Sequence, residues 1–155
     1  MRVTGFPPYA AENADILILG SFPSVKSREQ RFYYGHPSNR FWKVLAEFFG
    51  EPLPRTTEEK KSLLRKHRIA LWDIVTECEI VGSADSTIRN SEVADVPDFI
   101  ARHPVKKILL NGKTAFEIFK TAFPELLPCA VLLPSTSPAN PRFDKTIWFD
   151  ALRRY

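Results

Sequence analysis

Cysteine is scarce in this chain. Only Cys78 and Cys129 occur in its 155 residues, far apart and without the partner spacing that zinc or an iron–sulfur cluster needs. That excludes a cysteine-held cluster and fits a reducing compartment. No apolar run approaches the ~20 residues that span a bilayer. No basic region followed by an apolar stretch stands at the N-terminus, so no secretory signal is expected. No strand leads into G-x-G-x-x-G or G-x-x-x-x-G-K, which counts against a small nucleotide-binding α/β domain. There is no internal repeat and no low-complexity tract. The expectation is a cytoplasmic protein with no membrane, no metal and no cofactor as partner.

What the chain does have is ordinary for a globule: 44% apolar and 26% charged residues. Its length predicts one domain over residues 1–155, burying roughly two-thirds of the unfolded surface. A net charge of +4 and a pI near 9.2 fit a protein that meets polyanions.

Short aliphatic runs alternate with amphipathic segments. Strands are predicted at Ile16–Ser21, Ile69–Val75, Lys107–Asn111 and Ala130–Leu133. Ile16-Leu17-Ile18-Leu19 reads as a strand buried on both faces, as in a parallel sheet. A helix is predicted from Ser38 or Asn39 to Gly50, with Phe41, Trp42, Val44, Leu45, Phe48 and Phe49 on one face. Thr56-x-x-Glu59 is a capping box that opens another. Asp95 caps a helix over Val96–His103. Gly112 leads into one that buries Ala115, Phe116, Ile118 and Phe119. The last helix turns Ile147, Trp148, Ala151 and Leu152 inward. Residues 1–14 are read as a surface wrap, and Ser24–Ser38 and Glu77–Ser91 as loops. The alternation predicts a parallel sheet with helices on both faces.

Three of the four strands run into unusual polar loops: 21–38, Asn111-Gly112-Lys113, and 134–141. In a parallel sheet these ends share one edge, so groups a hundred residues apart converge there. Such an edge is where open α/β sheets bind ligands.

The same loops carry a resemblance. Gly20-x-x-Pro23 resembles the first motif of the uracil-DNA glycosylase superfamily, and His36-Pro37-Ser38-Asn39-Arg40-Phe41-Trp42 resembles the mismatch-specific uracil/thymine glycosylases. Gly20-Ser21-Phe22-Pro23-Ser24 with Pro134-Ser135-Thr136-Ser137-Pro138-Ala139-Asn140 is most similar to the hypoxanthine-DNA glycosylase branch. The resemblance covers nearly the whole chain. It implies a three-layer α/β/α sandwich around a four-stranded parallel sheet, and duplex DNA containing a deaminated base as substrate. One departure stands out. Most of the superfamily has Asp or Asn two residues after the motif glycine, to position water. Here Phe22 stands there, and in the hypoxanthine branch the catalytic role is assigned to the asparagine at the place of Asn39.

Each candidate has a plain reading beside the functional one. Asn39 is a helix cap, or holds the attacking water with its side-chain oxygen. An asparagine is no general base at neutral pH, but alignment and electrostatics suffice if the glycosidic bond breaks first. Asn111 is a turn-former before Gly112, or reads a base edge through one acceptor and two donors. Tyr34 lies where mismatch glycosylases place the aromatic that stacks on the base; Tyr33 and Phe22 are rivals. Gly20 and Ser21 join the base pocket through their motif. His36 is a proton donor or, preferably, part of a turn fixed by Pro37. Ser135, Thr136, Ser137 and Asn140 form a plain loop, or one that offers hydroxyls and N–H groups to phosphate. Residues 139–143 would form the wedge that fills the gap left by an extruded nucleotide, with Arg142 or Phe143 at the tip. Lys113, at a helix start, meets phosphate or solvent. Asp85 borders the pocket without an assigned role.

No lysine stands at a recognisable nucleophile position, which predicts hydrolysis without a covalent sugar intermediate. The reading is a monomeric, monofunctional DNA glycosylase acting on hypoxanthine first. A mismatch uracil/thymine glycosylase and a non-catalytic lesion binder are the alternatives.

Overall fold

A computed structural model describes residues 2–153. The strands are β1 (Arg2–Thr4), β2 (Ile16–Gly20), β3 (Ile69–Asp73), β4 (Val75–Glu79), β5 (Arg89–Val93), β6 (Lys107–Asn111) and β7 (Ala130–Leu133). The helices are α1 (Val25–Gln30), α2 (Phe41–Phe49), α3 (Thr57–Lys66), α4 (Val96–Arg102), α5 (Lys113–Ala122) and α6 (Lys145–Leu152).

Four parallel strands in the order β3-β2-β6-β7 form the central sheet. Side chains alternate across it. Ile16 and Ile18 of β2 join Phe41, Trp42 and Leu45 of α2 and Trp148 and Leu152 of α6 on one face. Leu17 and Leu19 join Val96 and Phe99 of α4 and Ala115 and Phe119 of α5 on the other. Each face is covered by helices, which gives the three layers expected, and β2 is buried along its whole length.

A second, antiparallel sheet, β1-β4-β5, was not legible. The expected loop over 77–91 is β4, a 3-10 turn at Asp85–Thr87, and β5. All five residues of β5, Arg-Asn-Ser-Glu-Val, are exposed, so no alternation marks it. Residues 2–4 likewise pair with β4, and Tyr9 bridges Leu71 through two backbone bonds of 2.8 and 2.9 Å.

The predicted strand over Ile69–Val75 is two strands in two sheets. It breaks at Ile74, whose N–H donates to the Gly20 carbonyl (2.8 Å) and whose carbonyl accepts from Ala94 N–H (2.8 Å). The expected loop after β2 contains α1, capped by Ser24, whose hydroxyl accepts from Ser27 N–H (3.1 Å). Six residues with four charged or amide side chains show no apolar face.

The cap of α2 is Arg40, one or two residues beyond the expected position. Asn39 still serves that helix start, its side-chain oxygen accepting the Phe41 N–H at 2.9 Å. Gly50, at φ 66°, ends α2. The capping box of α3 forms as predicted: Thr56 and Glu59 each accept the other's backbone N–H. In α6 the inward pair is Trp148 and Leu152, one turn apart. Ile147 is 45% exposed and points away, contrary to expectation.

Candidate active site

The C-terminal ends of all four parallel strands open into one cleft of about 760 Å³. That lies within the range of small-molecule and cofactor pockets. Gly20, Asp73 and Asn111 end three strands on its floor, and the loop after β7 forms one wall. Ser21, Phe22, Tyr34, His36, Asn39, Lys113, Ser135, Thr136, Ser137 and Asn140 also line it. Residues from three distant loops therefore meet as the topology required.

The floor is built around the missing side chain of Gly20. A Cβ there would stand 2.6 Å from Asp73 Oδ1 and 2.9 Å from the Tyr34 hydroxyl, so only glycine lets both approach. Asp73 is 5% exposed, and its Oδ2 has no hydrogen-bond partner among the described residues. The buried Tyr34 hydroxyl also has none. Burial, then the charge of Asp85, pushes the Asp73 carboxyl up to about 8, so it is largely neutral at pH 7. Burial and Asp73 raise the Tyr34 phenol. The Asn111 amide opposes that shift from nearby, although no hydrogen bond of ordinary geometry joins the two.

Asp85 accepts the Ser21 hydroxyl at 2.8 Å. Burial raises its carboxyl, with the Ser21 bond working against the shift. Its loop is pinned to α1: Val25 N–H donates to Ser83 Oγ (2.9 Å) and Arg28 to the Gly82 carbonyl (2.6 Å).

Asn111 is placed on the floor and bonded to the loop after β7. Its Oδ1 accepts the Thr136 N–H and its Nδ2 donates to Thr136 Oγ1, both at 3.0 Å. The main-chain donor fixes which way the amide faces. These two bonds engage one N–H and one lone pair of the amide and tie Asn111 to the loop. Thr136 is 1% exposed, its N–H donating to Asn111 and its hydroxyl oxygen accepting from it.

The 134–142 loop is wired internally. Ser135 Oγ accepts Ser137 N–H (3.1 Å) and Ser137 Oγ accepts Ala139 N–H (3.2 Å). Asn140 donates to the Ser135 carbonyl (3.0 Å) and accepts from Arg142 N–H (3.1 Å). Arg40 ties this loop to α2: its N–H donates to the Thr136 carbonyl (3.0 Å) and its guanidinium to the Ser137 carbonyl (3.1 Å). Arg142 is exposed, whereas Phe143 packs against the core beneath the Arg40 guanidinium at 5.1 Å. Of the two wedge candidates, only Arg142 is free at a tip. Lys113, exposed at the first residue of α5, stands on the rim.

Tyr34 adopts φ 54° and stacks on Phe41, ring centroids 4.1 Å apart. Tyr33 is a core residue whose hydroxyl donates to the Pro7 carbonyl (2.8 Å), and Phe22 is buried under Arg28. His36 Nδ1 accepts the Ser38 N–H at 3.0 Å, which fixes the turn and, for the neutral ring, leaves the proton on Nε2.

Asp73 was missed. It sits inside Leu71-Trp72-Asp73-Ile74-Val75, where apolar neighbours on both sides mark a buried carboxyl, an expensive placement that signals a special role.

The fold and this cleft are those of a known class. Residues 7–152 match the family model described as "Uracil DNA glycosylase superfamily". The chain belongs to that superfamily, and is accordingly a DNA N-glycosylase. Two curated relatives are called hypoxanthine DNA glycosylase. The one from Methanosarcina acetivorans is 39% identical, with 91% of this chain and 90% of the relative covered. That from Methanosarcina barkeri is 33% identical, with 99% and 100% covered. A solution NMR structure from Methanosarcina acetivorans, assigned provisionally as a uracil DNA glycosylase, superimposes with a TM-score of 0.86 at 35% identity, covering 99% of this chain and 98% of its own. Among the described residues, no helix is long and apolar enough to cross a membrane.

Proposed function

We propose that this chain is a monofunctional glycosylase that hydrolyses the N-glycosidic bond of hypoxanthine, with uracil released more slowly or not at all, in a nucleotide extruded from duplex DNA. The observation that carries the reading is the convergence of four strand ends on one cleft, in a chain similar over nine-tenths or more of its length to two relatives that share the hypoxanthine name. Extrusion costs a few kcal/mol and is easiest at the weak pairs that deaminated bases form.

Asn39 is the water-holding residue in this reading. Phe22 is apolar and buried, so the cleft has no polar side chain two residues after Gly20. The Phe41 N–H occupies one lone pair of Asn39 Oδ1 and fixes its orientation. A second lone pair remains for water. The cap and water-holding roles are thus compatible: helix α2 preorganises the oxygen that aligns the nucleophile as the sugar gains oxocarbenium character. Tyr34, held flat by Phe41, offers the platform on which the base stacks. Lys113 on the rim and the exposed Arg142 meet phosphates; loop N–H groups do so only where they are not already paired.

The test is single-turnover excision on duplexes carrying hypoxanthine, uracil, xanthine or thymine opposite each base, with abasic sites cleaved by alkali. Hypoxanthine release is expected to be fastest. Asn39→Ala should slow the chemical step on the order of a hundredfold. Its DNA affinity should stay close to wild type and weaken with salt in parallel. A cap role alone predicts a stability loss of about 1 kcal/mol with little change in rate. Strong uracil release without hypoxanthine release overturns the substrate order, and full activity in folded Asn39→Ala removes Asn39 from the mechanism.

A further inference from the structure

We propose that Ser27 and Trp42 are positioning residues of this active site: from two different helices they clamp the two peptide groups that flank Tyr34, and so aim the ring on which the extruded base stacks. This rests on the platform reading of Tyr34 above. Tyr34 adopts φ 54°, in the left-handed region that residues with a side chain rarely enter. Such a conformation persists only where its surroundings impose it. Each peptide group is planar, so the one before Tyr34 turns with φ and the one after it turns with ψ. Both are held. The Tyr33 carbonyl accepts from Trp42 Nε1 of α2 at 3.1 Å. The Gly35 N–H donates to Ser27 Oγ of α1 at 2.8 Å. Both bonds are buried, with Ser27 2% and Trp42 5% exposed.

Each clamp is itself braced. The Ser24 hydroxyl donates to Ser27 Oγ at 3.1 Å and accepts the Ser27 N–H at the same distance. Gly35 lets α1 come close: a Cβ there would stand 2.6 Å from Gln30 Oε1 and 3.2 Å from Ser27 Cα. The Trp42 ring stacks on Phe32 and lies under the Lys60 ammonium at 5.4 Å. A helix of six residues has little stability of its own. Its task here is to supply the partner that the buried Gly35 N–H needs. With both peptide groups fixed, the Tyr34 ring is held on Phe41 with its hydroxyl beside Gly20 on the cleft floor. Releasing either bond lets the backbone return to the right-handed or extended regions, where the Cα–Cβ bond points elsewhere. The ring then leaves Phe41, and a base stacked on it no longer lines up with the water on Asn39.

The carbon-13 shifts of Tyr34 Cα and Cβ report its backbone angles. They are measured in wild type, Ser27→Ala and Trp42→Phe. Single-turnover excision of hypoxanthine is measured in the same proteins and in each variant combined with Tyr34→Ala. Both clamp variants should move the Tyr34 shifts away from left-handed values, while those of Leu17 to Leu19 in β2 stay in place. Each should slow excision by on the order of tenfold to a hundredfold. In the Tyr34→Ala background the same changes should slow it by less than about a further twofold, because the ring they aim is gone. Unchanged Tyr34 shifts in both variants overturn the proposal. So does slowing that persists in full without the Tyr34 ring. If one variant does not fold, the other decides alone, since the two act from different helices. A Tyr34→Ala protein that excises at the wild-type rate would instead sink the platform reading, and moved Tyr34 shifts would still establish Ser27 and Trp42 as the clamps of that backbone.

Discussion

The 134–142 loop and the floor of the cleft face one another and treat their polar groups in opposite ways. In the loop, Ser135, Thr136, Ser137 and Asn140 each accept or donate within the protein. On the floor, Asp73 Oδ2 and the Tyr34 hydroxyl are buried, yet neither atom has a partner among the described residues. A satisfied network rigidifies; an unsatisfied buried pair waits for something to satisfy it. The loop that looked most like a ligand contact in sequence is also internally bonded. A strand end that looked like core holds the unpaired atoms.

The comparison can be broken most forcefully through pH. Because the folded Asp73 pKa lies near 8 against an ordinary 3.8, the native state binds more protons than the unfolded state between those values. Stability should therefore fall as pH rises from about 4 to about 8, by several kcal/mol at the far end. Chemical unfolding of wild type and Asp73→Asn across that range isolates the effect. The difference between the two curves should grow in favour of Asn as pH rises, and a constant difference would mean that the carboxyl ionises normally. Next in size is Gly20→Ala. Its methyl would intrude on Asp73 and Tyr34 at once, so hypoxanthine excision should drop about a hundredfold while circular dichroism shows an intact fold. The smallest effect sharpens the scaffold side. Asn111→Ala leaves the buried Thr136 N–H and hydroxyl unpaired and should cost about 1–3 kcal/mol in denaturant unfolding. Unchanged stability would return Asn111 to the simple turn-formers.

Much of the fold was legible because its central sheet is two-sided. Ile16–Leu19 and Ile108–Leu110 announce buried parallel strands without ambiguity, and Thr56 with Glu59 marks a helix start by local chemistry alone. The second sheet was hidden because its stability is pairwise. Arg89–Val93 has no apolar face, and is held by its ladder to β4 rather than by burial. The cleft was legible as a place, since strand ends in a parallel sheet must converge. Its division of labour was not. Whether Asn111 meets a base or Thr136 depends on where a loop 25 positions away returns, and no local pattern encodes that. Asp73 carried its own signal, a carboxyl within an apolar run. It was absorbed into a strand that continues visually through Ile74 and Val75 but changes sheets there.

Arg40 has a consequence for how the enzyme is assembled. It joins α2 to the β7 loop through the Thr136 and Ser137 carbonyls, the latter 97 positions away in sequence. Closing so long a loop costs chain entropy that is recovered only when the rest of the sheet is in place. The wall of the cleft is therefore a late event in folding and an early one in partial opening. The catalytic apparatus sits at the last seam to close. Amide hydrogen exchange reads this directly: the Arg40 and Thr136 N–H groups should exchange faster than those of Leu17 to Leu19 in β2, and equal protection would place the seam within the core's own folding unit.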